Sequence, residues 1–466
     1  MTDTIAALAT ARGRAALAVM RVSGPDAVGL VASRLAPESA SSSLRASAGR
    51  TAHVGWMVDD EGRRLDQVVC TVFRAPASAT GEDVVEVTTH GGDAAPQAVL
   101  RALYGAGARP AAAGEFTQRA FLNGKLDLAQ AEAVADLIHA ESTLGRRTAV
   151  AALTGRISDA VAGVRAALVQ TAALVELELD FGDEDVEFAD RDALRALLAD
   201  ADRLLGELVG TARLGALARD GVRVVLGGRP NAGKSTLLNA LVGDDRAIVS
   251  PTPGTTRDAI EADAEIGQVR FRFLDTAGLR ETADAIEAEG TRRAHAAIEA
   301  ADALVYVWAA PLGLDAEERA FLDALATRRP DLAVVRVANK ADALAASAGS
   351  GAPSAPGSPT LHLSARAALS DPRQLDGLRA ALLDAVRGEL AGSDGSAVAV
   401  NERHRRHLDA AREAVGRARA ALDRGGGGDT LALDLRAALH ELGQVTGAVT
   451  NEDVLDAVFS QFCIGK

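Results

Sequence analysis

The sequence predicts a multidomain chain in which an α/β domain is inserted into a discontinuous all-α domain, behind an N-terminal α+β domain. Three observations carry this prediction. Short apolar runs separated by turns fill residues 1–120, which is typical of a β-rich α+β domain. Apolar residues at helical spacing fill 121–219 and return over 389–466. Between them, strands and helices alternate across 220–388, the pattern of βαβ units around a parallel sheet.

Length, charge and cysteine content agree with such a chain. The 466 residues suffice for about three domains of roughly 150 residues each. The formal charge of −14 argues against a broad nucleic-acid-binding surface, although not against a local basic patch. The two cysteines, Cys70 and Cys463, give no disulfide framework and no zinc spacing, so we expect a cytoplasmic protein. No signal-length or membrane-length apolar run is visible, and no membrane is expected.

Each element follows from a local pattern. The N-terminal strand candidates are ALAVMRVSG, DQVVCTVF and DVVEVTTHGG. The runs LAQAEAVADLIHA and VAGVRAALVQTAALVELELD predict long antiparallel helices. In the inserted domain VRFRFLD, ALVYVWA and LAVVRVANK predict buried strands, and residues 345–359 form a low-complexity loop. The two helical halves can pack together only if the ends of the insert lie close.

The segment GRPNAGKST predicts a phosphate-binding loop. It follows the strand VRVVLG, precedes an apolar helix and fits G-x-x-x-x-G-K-[ST] at Gly228, Gly233, Lys234 and Ser235. The glycines let the backbone N–H groups cradle phosphate oxygens. Lys234 is expected to reach the outer phosphates, and the Ser235 hydroxyl to ligate Mg²⁺. The alternative, a chance glycine-rich loop, does not explain the strand and helix on either side.

Three further motifs each follow a predicted strand: Asp275-Thr276-Ala277-Gly278, Asn339-Lys340-Ala341-Asp342 and Ser364-Ala365-Arg366. Asp275 suits the magnesium shell through water, and the Gly278 amide suits the terminal phosphate. The carboxylate of Asp342 accepts two hydrogen bonds from guanine, whereas adenine has no donor at N1 and would leave it unpaired. The third motif supplies an amide to the guanine oxygen. The four motifs in this order predict a Ras-like P-loop GTPase domain.

A switch loop is predicted at residues 247–258, AIVSPTPGTTRD, where Thr256 is a candidate second magnesium ligand that senses the terminal phosphate. Its Pro-Thr-Pro segment is stiffer than a typical switch. The residues predicted to bind GTP are Asn231, Ala232, Gly233, Lys234, Ser235, Thr236, Ser250, Pro251, Thr252, Pro253, Gly254, Thr255, Thr256, Asp275, Thr276, Ala277, Gly278, Asn339, Lys340, Asp342, Ser364, Ala365 and Arg366.

The groups that promote hydrolysis are less clear from the residues alone. Leu279 occupies the position where small GTPases often carry a water-orienting glutamine, and an aliphatic side chain cannot do this. The acidic residues that follow are candidates, but spacing does not choose among Glu281, Asp284, Glu287 and Glu289, and a solvated acidic helix start is an alternative.

Asn231 in the phosphate loop also has two interpretations. Its amide oxygen suits a monovalent cation that, with carbonyl groups of the 250–256 loop, neutralises charge in the transition state as an arginine does. Alternatively, the side chain only stabilises the loop.

These motifs lie within a longer pattern. GRPNAGKS, AIVS…GTTRD and DTAGLRE stand between TGEDVVEVTTHGG, GEFTQRAFLNGKLDLAQAEAVADLI and the terminal FCIGK. The whole chain resembles the MnmE (TrmE) family, the tRNA uridine-5-carboxymethylaminomethyl modification GTPases. Only residues 345–359 and 425–428 look idiosyncratic. The resemblance implies a Ras-like P-loop GTPase domain inserted in a discontinuous helical domain, with an N-terminal α+β tetrahydrofolate-binding domain.

The resemblance also implies partners and cofactors. The N-terminal domains are expected to form a homodimer and to bind 5,10-methylene- or 5-formyl-tetrahydrofolate. Potassium is expected to activate a face-to-face meeting of the GTPase domains. A heterotetramer with the FAD-containing, NADH-using MnmG subunit would then modify C5 of the wobble uridine in certain tRNAs.

Carried over from the family, each site falls on particular residues. The potassium site falls on Asn231, Ser250, Thr252 and Thr255, and the magnesium ligands on Ser235 and Thr256. The folate contacts fall on Arg21, Glu86, Lys125 and Lys466. The family's water-positioning role falls on Glu287. The predicted catalytic set adds Asp275 and Lys234 from the nucleotide motifs and Cys463 as a candidate. A carboxylate suits the donors of a pterin, and cationic side chains suit the carboxylates of the glutamate tail.

The terminal FCIGK has three interpretations. A prenylation box is excluded because Gly465 is not aliphatic and Lys466 is a poor final residue. A frayed tail is the second interpretation. The resemblance favours the third, in which the terminus reaches the folate site across the dimer interface. Cys463 is then a candidate nucleophile, although the sequence identifies no base that would lower its pKa.

Two other functions fit parts of the sequence. The first is a ribosome-assembly GTPase switch, which the acidic charge and the lack of a basic RNA-binding appendage disfavour. The second is a folate-dependent aminomethyl transferase with a vestigial GTPase, which the intact motifs disfavour. The basic run RHRRH at 403–407 suits either contact with tRNA phosphates or a solvated helix end.

Overall fold

The computed structural model describes residues 3–180, 191–244, 261–275, 296–345, 360–390, 398–425 and 428–466. The chain divides into two compact units. The first unit comprises Met1–Ala135, Ala152–Gly206 and Arg406–Lys466, and the second comprises Asp136–Ala151 and Glu207–Arg405.

The first unit begins with a mixed sheet. Its strands are β1 (Ile5–Leu8), β2 (Leu17–Ser23), β3 (Leu35–Ala36), β4 (Thr51–Val58), β5 (Arg64–Phe73), β6 (Val84–His90) and β7 (Arg109–Pro110). Among the described residues the strand order is β3-β4-β5-β6-β2-β1-β7. Neighbouring strands are antiparallel except for β1 and β7.

One face of this sheet is covered by helices. These are α1 (Ala27–Ser33), α2 (Glu38–Ala46) and α3 (Ala94–Gly105). Beneath them Met20, Val22, Val85 and Val87 are fully buried in one core. Because successive side chains of a strand point to opposite faces, the intervening polar residues of β2 and β6 lie on the other face.

The helices before the second sheet are α4 (Glu115–Leu122), α5 (Leu128–His139), α6 (Thr143–Leu153), α7 (Arg156–Asp180), α8 (Arg191–Gly210) and α9 (Ala212–Asp220). The helices after it are α16 (Glu402–Asp423), α17 (Gly428–Thr446) and α18 (Glu452–Phe459), numbered to follow those of the second unit. Helices α4, α5, α7 and α8 and the three later helices lie mainly in the first unit, whereas most of α6 and all of α9 lie in the second.

The two helical groups of the first unit pack on each other. Helix α7 buries a stripe at helical spacing that includes Val161, Val164 and Leu168, and it lies along α17. Asp202 of α8 accepts from Arg412 (2.8 Å) and Arg419 (3.1 Å) of α16. The helical domain is therefore discontinuous in sequence, as predicted.

One described segment, Arg156–Leu177, is long and apolar enough to cross a membrane by length and composition alone. This is weak support for a membrane span, because the core helix of a soluble protein passes the same test. Here the helix carries the buried stripe that packs along α17.

The second unit contains the second sheet. Its strands are β8 (Val222–Gly227), β9 (Glu261–Ile266), β10 (Val269–Asp275), β11 (Ala303–Ala309), β12 (Ala333–Asn339) and β13 (Thr360–His362). Its helices are α10 (Lys234–Asp244), α11 (Ala316–Arg328), α12 (Ala341–Ala345), α13 (Ala365–Ala368), α14 (Asp376–Ala385) and α15 (Arg387–Leu390), with a 3₁₀ turn at Pro372–Leu375.

Among the described strands the order is β13-β12-β11-β8-β10-β9, and every neighbouring pair is parallel except β9 with β10. Strand β11 is buried along almost its whole length, as expected where apolar cores cover both faces of a parallel sheet. The predicted fold class is confirmed: an α/β domain, an α+β sheet domain and a discontinuous set of helices.

Candidate functional site

The predicted phosphate loop joins the end of β8 to the start of α10. Gly228 has φ +131°, and a Cβ atom there would lie 1.9 Å from the carbonyl oxygen of Val307. Gly233 has φ +95°, and its Cβ would lie 2.3 Å from Nδ2 of Asn339. Both positions therefore require glycine for backbone conformation and for space. The loop opens a helix of eleven residues, whose free N–H groups favour anions.

The side chains predicted to hold phosphate and magnesium lie together. Lys234 is buried, and its Nζ donates to the carbonyl oxygens of Gly228 (2.8 Å) and Arg229 (2.9 Å). The Ser235 hydroxyl donates to Oδ2 of Asp275 (2.7 Å), which is fully buried at the end of β10. A hydroxyl and a carboxylate are the hard oxygen ligands that Mg²⁺ prefers. Among the described residues, no group of three or more His, Cys, Asp or Glu side chains is arranged so that it could hold a metal ion.

The guanine motifs contact the phosphate loop directly. Nδ2 of Asn339 donates to the carbonyl oxygen of Ala232 (2.9 Å), and its Oδ1 accepts from the backbone N–H of Ala365 (2.8 Å). Nζ of Lys340, a residue with φ +63°, donates to the carbonyl oxygen of Asn231 (2.7 Å). Asn339 thus links the phosphate loop to the motif at 364–366, and Ser235 links the same loop to Asp275. The described parts of the four predicted segments therefore lie together.

The remaining described residues lie around this link. Asp342 is exposed in the first turn of α12, and Thr236 is half-buried in the first turn of α10. Ser364 caps α13 by accepting from the N–H of Ala367 (3.2 Å), and Arg366 is exposed on that helix.

Several predicted site residues lie outside the described residues: Ser250, Pro251, Thr252, Pro253, Gly254, Thr255, Thr256, Thr276, Ala277, Gly278 and Glu287. The second magnesium ligand, three of the four potassium ligands and the water-positioning glutamate are therefore still predictions. Asn231, the fourth potassium ligand, is exposed and has φ +61°.

Two of the predicted folate residues form an ion pair on the open face of the first sheet. Arg21 of β2 lies opposite Glu86 of β6 in the strand register. Its Nη2 (2.7 Å) and Nε (3.1 Å) both donate to Oε1 of Glu86, so Oε2 is not used by this pair. The guanidinium lies 5.8 Å from the ring centre of Phe116, within cation–π range.

The third folate residue lies beside a loop that follows β5. Nζ of Lys125 donates to the carbonyl oxygen of Pro76 (3.1 Å), and Nδ2 of Asn123 donates to that of Thr80 (2.7 Å). The residues at the end of α4 therefore fix the loop between β5 and β6, which leads into the strand that carries Glu86.

A buried charge cluster supports the same loop, and sequence reasoning missed it. Arg119 is 1% exposed and pairs with Asp3 (2.9 Å), Glu82 (3.1 Å) and Glu115 (2.9 Å). Burial alone raises the pKa of Glu115, but hydrogen bonds, that from Arg109 first among them, hold its pKa below the ordinary value. The only local signal is the i,i+4 pair of Glu115 and Arg119, which ordinarily indicates a helix surface.

The terminal FCIGK packs on the first sheet. Phe462 is buried, and Ile464 forms an antiparallel bridge with Ala113. Gly465 has φ +102°, and a Cβ there would lie 2.2 Å from the carbonyl oxygen of Leu8. These contacts are made within the chain, and the expected approach of the terminus to a folate site across a dimer interface stays a prediction.

The two cysteines differ in environment. Cys463 is exposed and lies three residues before the half-buried Lys466, whose N–H donates to its carbonyl oxygen (3.3 Å). Cys70 lies in the sheet core, and burial raises the pKa of its thiol to about 12. Cys70 is therefore an inert core residue, and Cys463 is the accessible thiol.

Comparison with known proteins gives the same assignment over the full chain. Residues 4–125 match the family model described as the GTP-binding protein TrmE N-terminus, and residues 128–463 match the MnmE helical domain. The tRNA modification GTPase MnmE of Salinibacter ruber is 56% identical over 100% of this chain and 99% of its own length. The protein of the same name from Christiangramia forsetii is 40% identical over 100% of both chains.

Among solved structures, a variant of Era from Aquifex aeolicus bound to GDP·AlF4⁻ matches 34% of this chain and 56% of its own length. The identity is 23% and the TM-score is 0.24, which is too low to carry an argument. The assignment rests on the family models and on the full-length relatives. The chain belongs to the MnmE (TrmE) family of GTPases.

Proposed function

We propose that this chain is the GTP-hydrolysing component of a complex that adds a carboxymethylaminomethyl group to C5 of wobble uridine in tRNA. The observation that carries the proposal is the joined nucleotide site. Ser235 contacts Asp275 at the phosphate end, and Asn339 bridges to the base end. The full-length relatives named tRNA modification GTPase support the substrate.

In the nucleotide site, Ser235 and Thr256 would ligate Mg²⁺, and Asp275 would hold its shell through water. The ion neutralises phosphate charge when it is bound. Lys234 would turn from the loop carbonyls to the outer phosphates. Asp342 would read guanine, with the backbone N–H groups of 364–366 beside it.

We further propose potassium activation through Asn231, Ser250, Thr252 and Thr255. A cation at this position would neutralise developing charge where an arginine is lacking. Glu287 would orient the attacking water. Bound potassium would promote the face-to-face dimerisation of the GTPase domains, so hydrolysis would depend on potassium.

The N-terminal sheet would bind the one-carbon tetrahydrofolate. Oε2 of Glu86, which the pair with Arg21 does not use, suits a pterin donor. Arg21, Lys125 and Lys466 would bind the carboxylates of the glutamate tail. Cys463, exposed in the docked terminus, is proposed to take part in the transfer.

The assembly would be a homodimer in a heterotetramer with the FAD-containing MnmG subunit, which would use NADH, in the cytoplasm. We propose domain limits of 1–120 and 220–388 for the folate and GTPase domains, with helical parts at 121–219 and 389–466.

A salt comparison tests the nucleotide mechanism. GTP hydrolysis by the full-length protein should be at least about tenfold faster in potassium than in sodium, and Asn231→Ala should remove the difference. Equal rates in both salts would contradict the cation mechanism. Titration with 5-formyl-tetrahydrofolate should show binding that Arg21→Ala abolishes.

Mass analysis of wobble uridines separates this function from a ribosome-assembly GTPase. A strain that lacks the gene should lose the C5 modification. Normal wobble uridines in that strain would favour the assembly switch.

A further inference from the structure

The hairpin of β9 and β10 connects the two segments expected to contact the terminal phosphate. Residues 245–260, which carry Thr256, precede β9, and Gly278 follows β10. Strand β10 itself ends at Asp275, which accepts from Ser235. Its other end lies five to six residues away, roughly 17–20 Å along an extended strand.

The turn of this hairpin is tight. Its two residues, Gly267 and Gln268, both have positive φ, +56° and +71°. Two successive left-handed residues are typical of a type I′ hairpin turn, whose twist matches that of the strands. Strand β9 is the sheet edge and pairs only with β10 among the described strands, so its position depends on this hairpin.

The segment at the start of α6 holds the turn by three polar contacts. The N–H of Leu144 donates to the carbonyl oxygen of Gln268 (2.9 Å), and Nη1 of Arg147 donates to its Oε1 (3.1 Å). Glu141 pairs with Nη2 of Arg270 (2.5 Å). The three contacts therefore hold the backbone of Gln268, its side chain and Arg270 of strand β10.

Residues at the start of α6 also pack against the core of the second unit and against the end of α9. The side chain of Leu144 is buried in the core that contains Phe271 and Val222. A Cβ on Gly145 would lie 2.6 Å from the carbonyl oxygen of Ala218, at the end of α9. The start of α6 therefore has little freedom to move independently of the hairpin.

Arg270 connects this contact to the edge strand. It pairs with Asp263 of β9 as well as with Glu141, and its side chain is mostly buried. A displacement of β9 relative to β10 therefore changes the geometry of the pair with Glu141. Helix α6 continues in sequence, over Thr154 and Gly155, into the 25-residue helix α7.

We propose that the β9–β10 turn and residues 141–147 form a coupling element, which transmits the nucleotide state at Asp275 to helix α6. The inference rests on the proposed GTPase function and adds the route by which it would reach the helical domain. Segments that contact the terminal phosphate rearrange on hydrolysis in GTPases generally. Here both such segments are joined to one hairpin, and that hairpin is held by the first turn of α6.

Hydrogen exchange on the full-length protein tests the proposal. Peptides covering 141–153 should exchange at least threefold more slowly with GDP·AlF4⁻ and potassium than with GDP. The variant Glu141→Gln/Arg147→Ala removes two of the three polar contacts and touches no nucleotide residue. In this variant the nucleotide-dependent difference in hydrogen exchange should disappear from 141–153 but remain in 261–275. GTP hydrolysis should stay within twofold of the wild-type rate, while tRNA modification falls at least tenfold.

The control variant Asp384→Asn/Arg387→Ala removes the same charges from an exposed pair of the second unit (3.0 Å) and should change none of these readouts. The double variant Glu141→Gln/Arg147→Lys keeps a donor at residue 147. Compared with Glu141→Gln/Arg147→Ala, it should regain part of the nucleotide-dependent difference in exchange of 141–153. Nucleotide-dependent protection of 228–236 without any change in 141–153 would overturn the coupling alone. No protection of 228–236 by any nucleotide would overturn the nucleotide site and the coupling with it.

Discussion

Replacing Gly465 by alanine should detach the terminal segment from the first sheet. The added Cβ would lie 2.2 Å from the carbonyl oxygen of Leu8, so the tail must move by about 1 Å or more to reach a normal contact. The left-handed backbone at φ +102° adds strain of roughly 1–3 kcal/mol for a residue with a Cβ. Since about 1.4 kcal/mol is a factor of ten, this strain alone should lower the equilibrium constant for docking roughly 5- to 150-fold, and the clash with Leu8 should lower it further.

The assay compares two activities of the same preparation. Wobble modification should fall about tenfold or more, while GTP hydrolysis stays within twofold, because the nucleotide site lies on β8, β10 and β12. The matched control is Gly92→Ala, which has nearly the same φ, +97°, and nothing within 4 Å of its added Cβ. Full modification by Gly465→Ala, or an equal loss in the control, would refute the role assigned to docking.

Three further outcomes follow from the site and its support. Ser235→Ala removes the proposed magnesium ligand, and GTP hydrolysis measured against Mg²⁺ concentration should fall by a factor of about 10². Arg119→Leu removes the ion pairs with Glu82 and Glu115, although Glu115 keeps its pair with Arg109. It should lower the free energy of unfolding by about 3 kcal/mol in denaturant titration, the lower end for a broken buried pair, whereas exposed Arg12→Leu should not. The pKa of Glu115 is lowered in the folded state, so its contribution to stability is present above its ordinary pKa of 4.5 and is lost as pH falls below it. The melting temperature should decline as pH falls below 4.5, and it should decline less steeply in Glu115→Gln. The same dependence of melting temperature on pH in both proteins would contradict the role assigned to Glu115.

The order of strands and motifs along the sequence predicted which described segments meet at the candidate nucleotide site, because those motifs are local. A strand, a glycine turn and a helix are specified within about twenty residues, and their order along the chain fixes which strand ends meet. The contacts of Ser235 with Asp275 and of Asn339 with Ala232 follow from that topology.

Long-range partners were not predictable in the same way. Periodicity predicted helices across residues 121–219, but it cannot state that residues 144–147 contact the hairpin turn at Gln268. Likewise Glu115 and Arg119 look like a surface pair in the sequence, because the other ion-pair partners of Arg119, Asp3 and Glu82, are distant in sequence.

The discontinuous helical domain has a consequence for the order of folding. Asp202 meets Arg412 and Arg419, which are 210 and 217 residues later in the chain. During synthesis the first helical half must therefore wait for its partner until the inserted domain has left the ribosome. The insert has its own core and can fold first. Once it is folded, its two ends are held close together, so joining the two helical halves costs less chain entropy than closing a flexible loop of the same length. A Cβ on Gly206 would lie 3.2 Å from the guanidinium carbon of Arg412, so the chain leaves and re-enters the first unit at adjoining points. Mutations that slow folding of the inserted domain should thus expose the apolar stripe of α7 on the nascent chain, and their cost would appear as aggregation during expression rather than as lost activity of the mature protein.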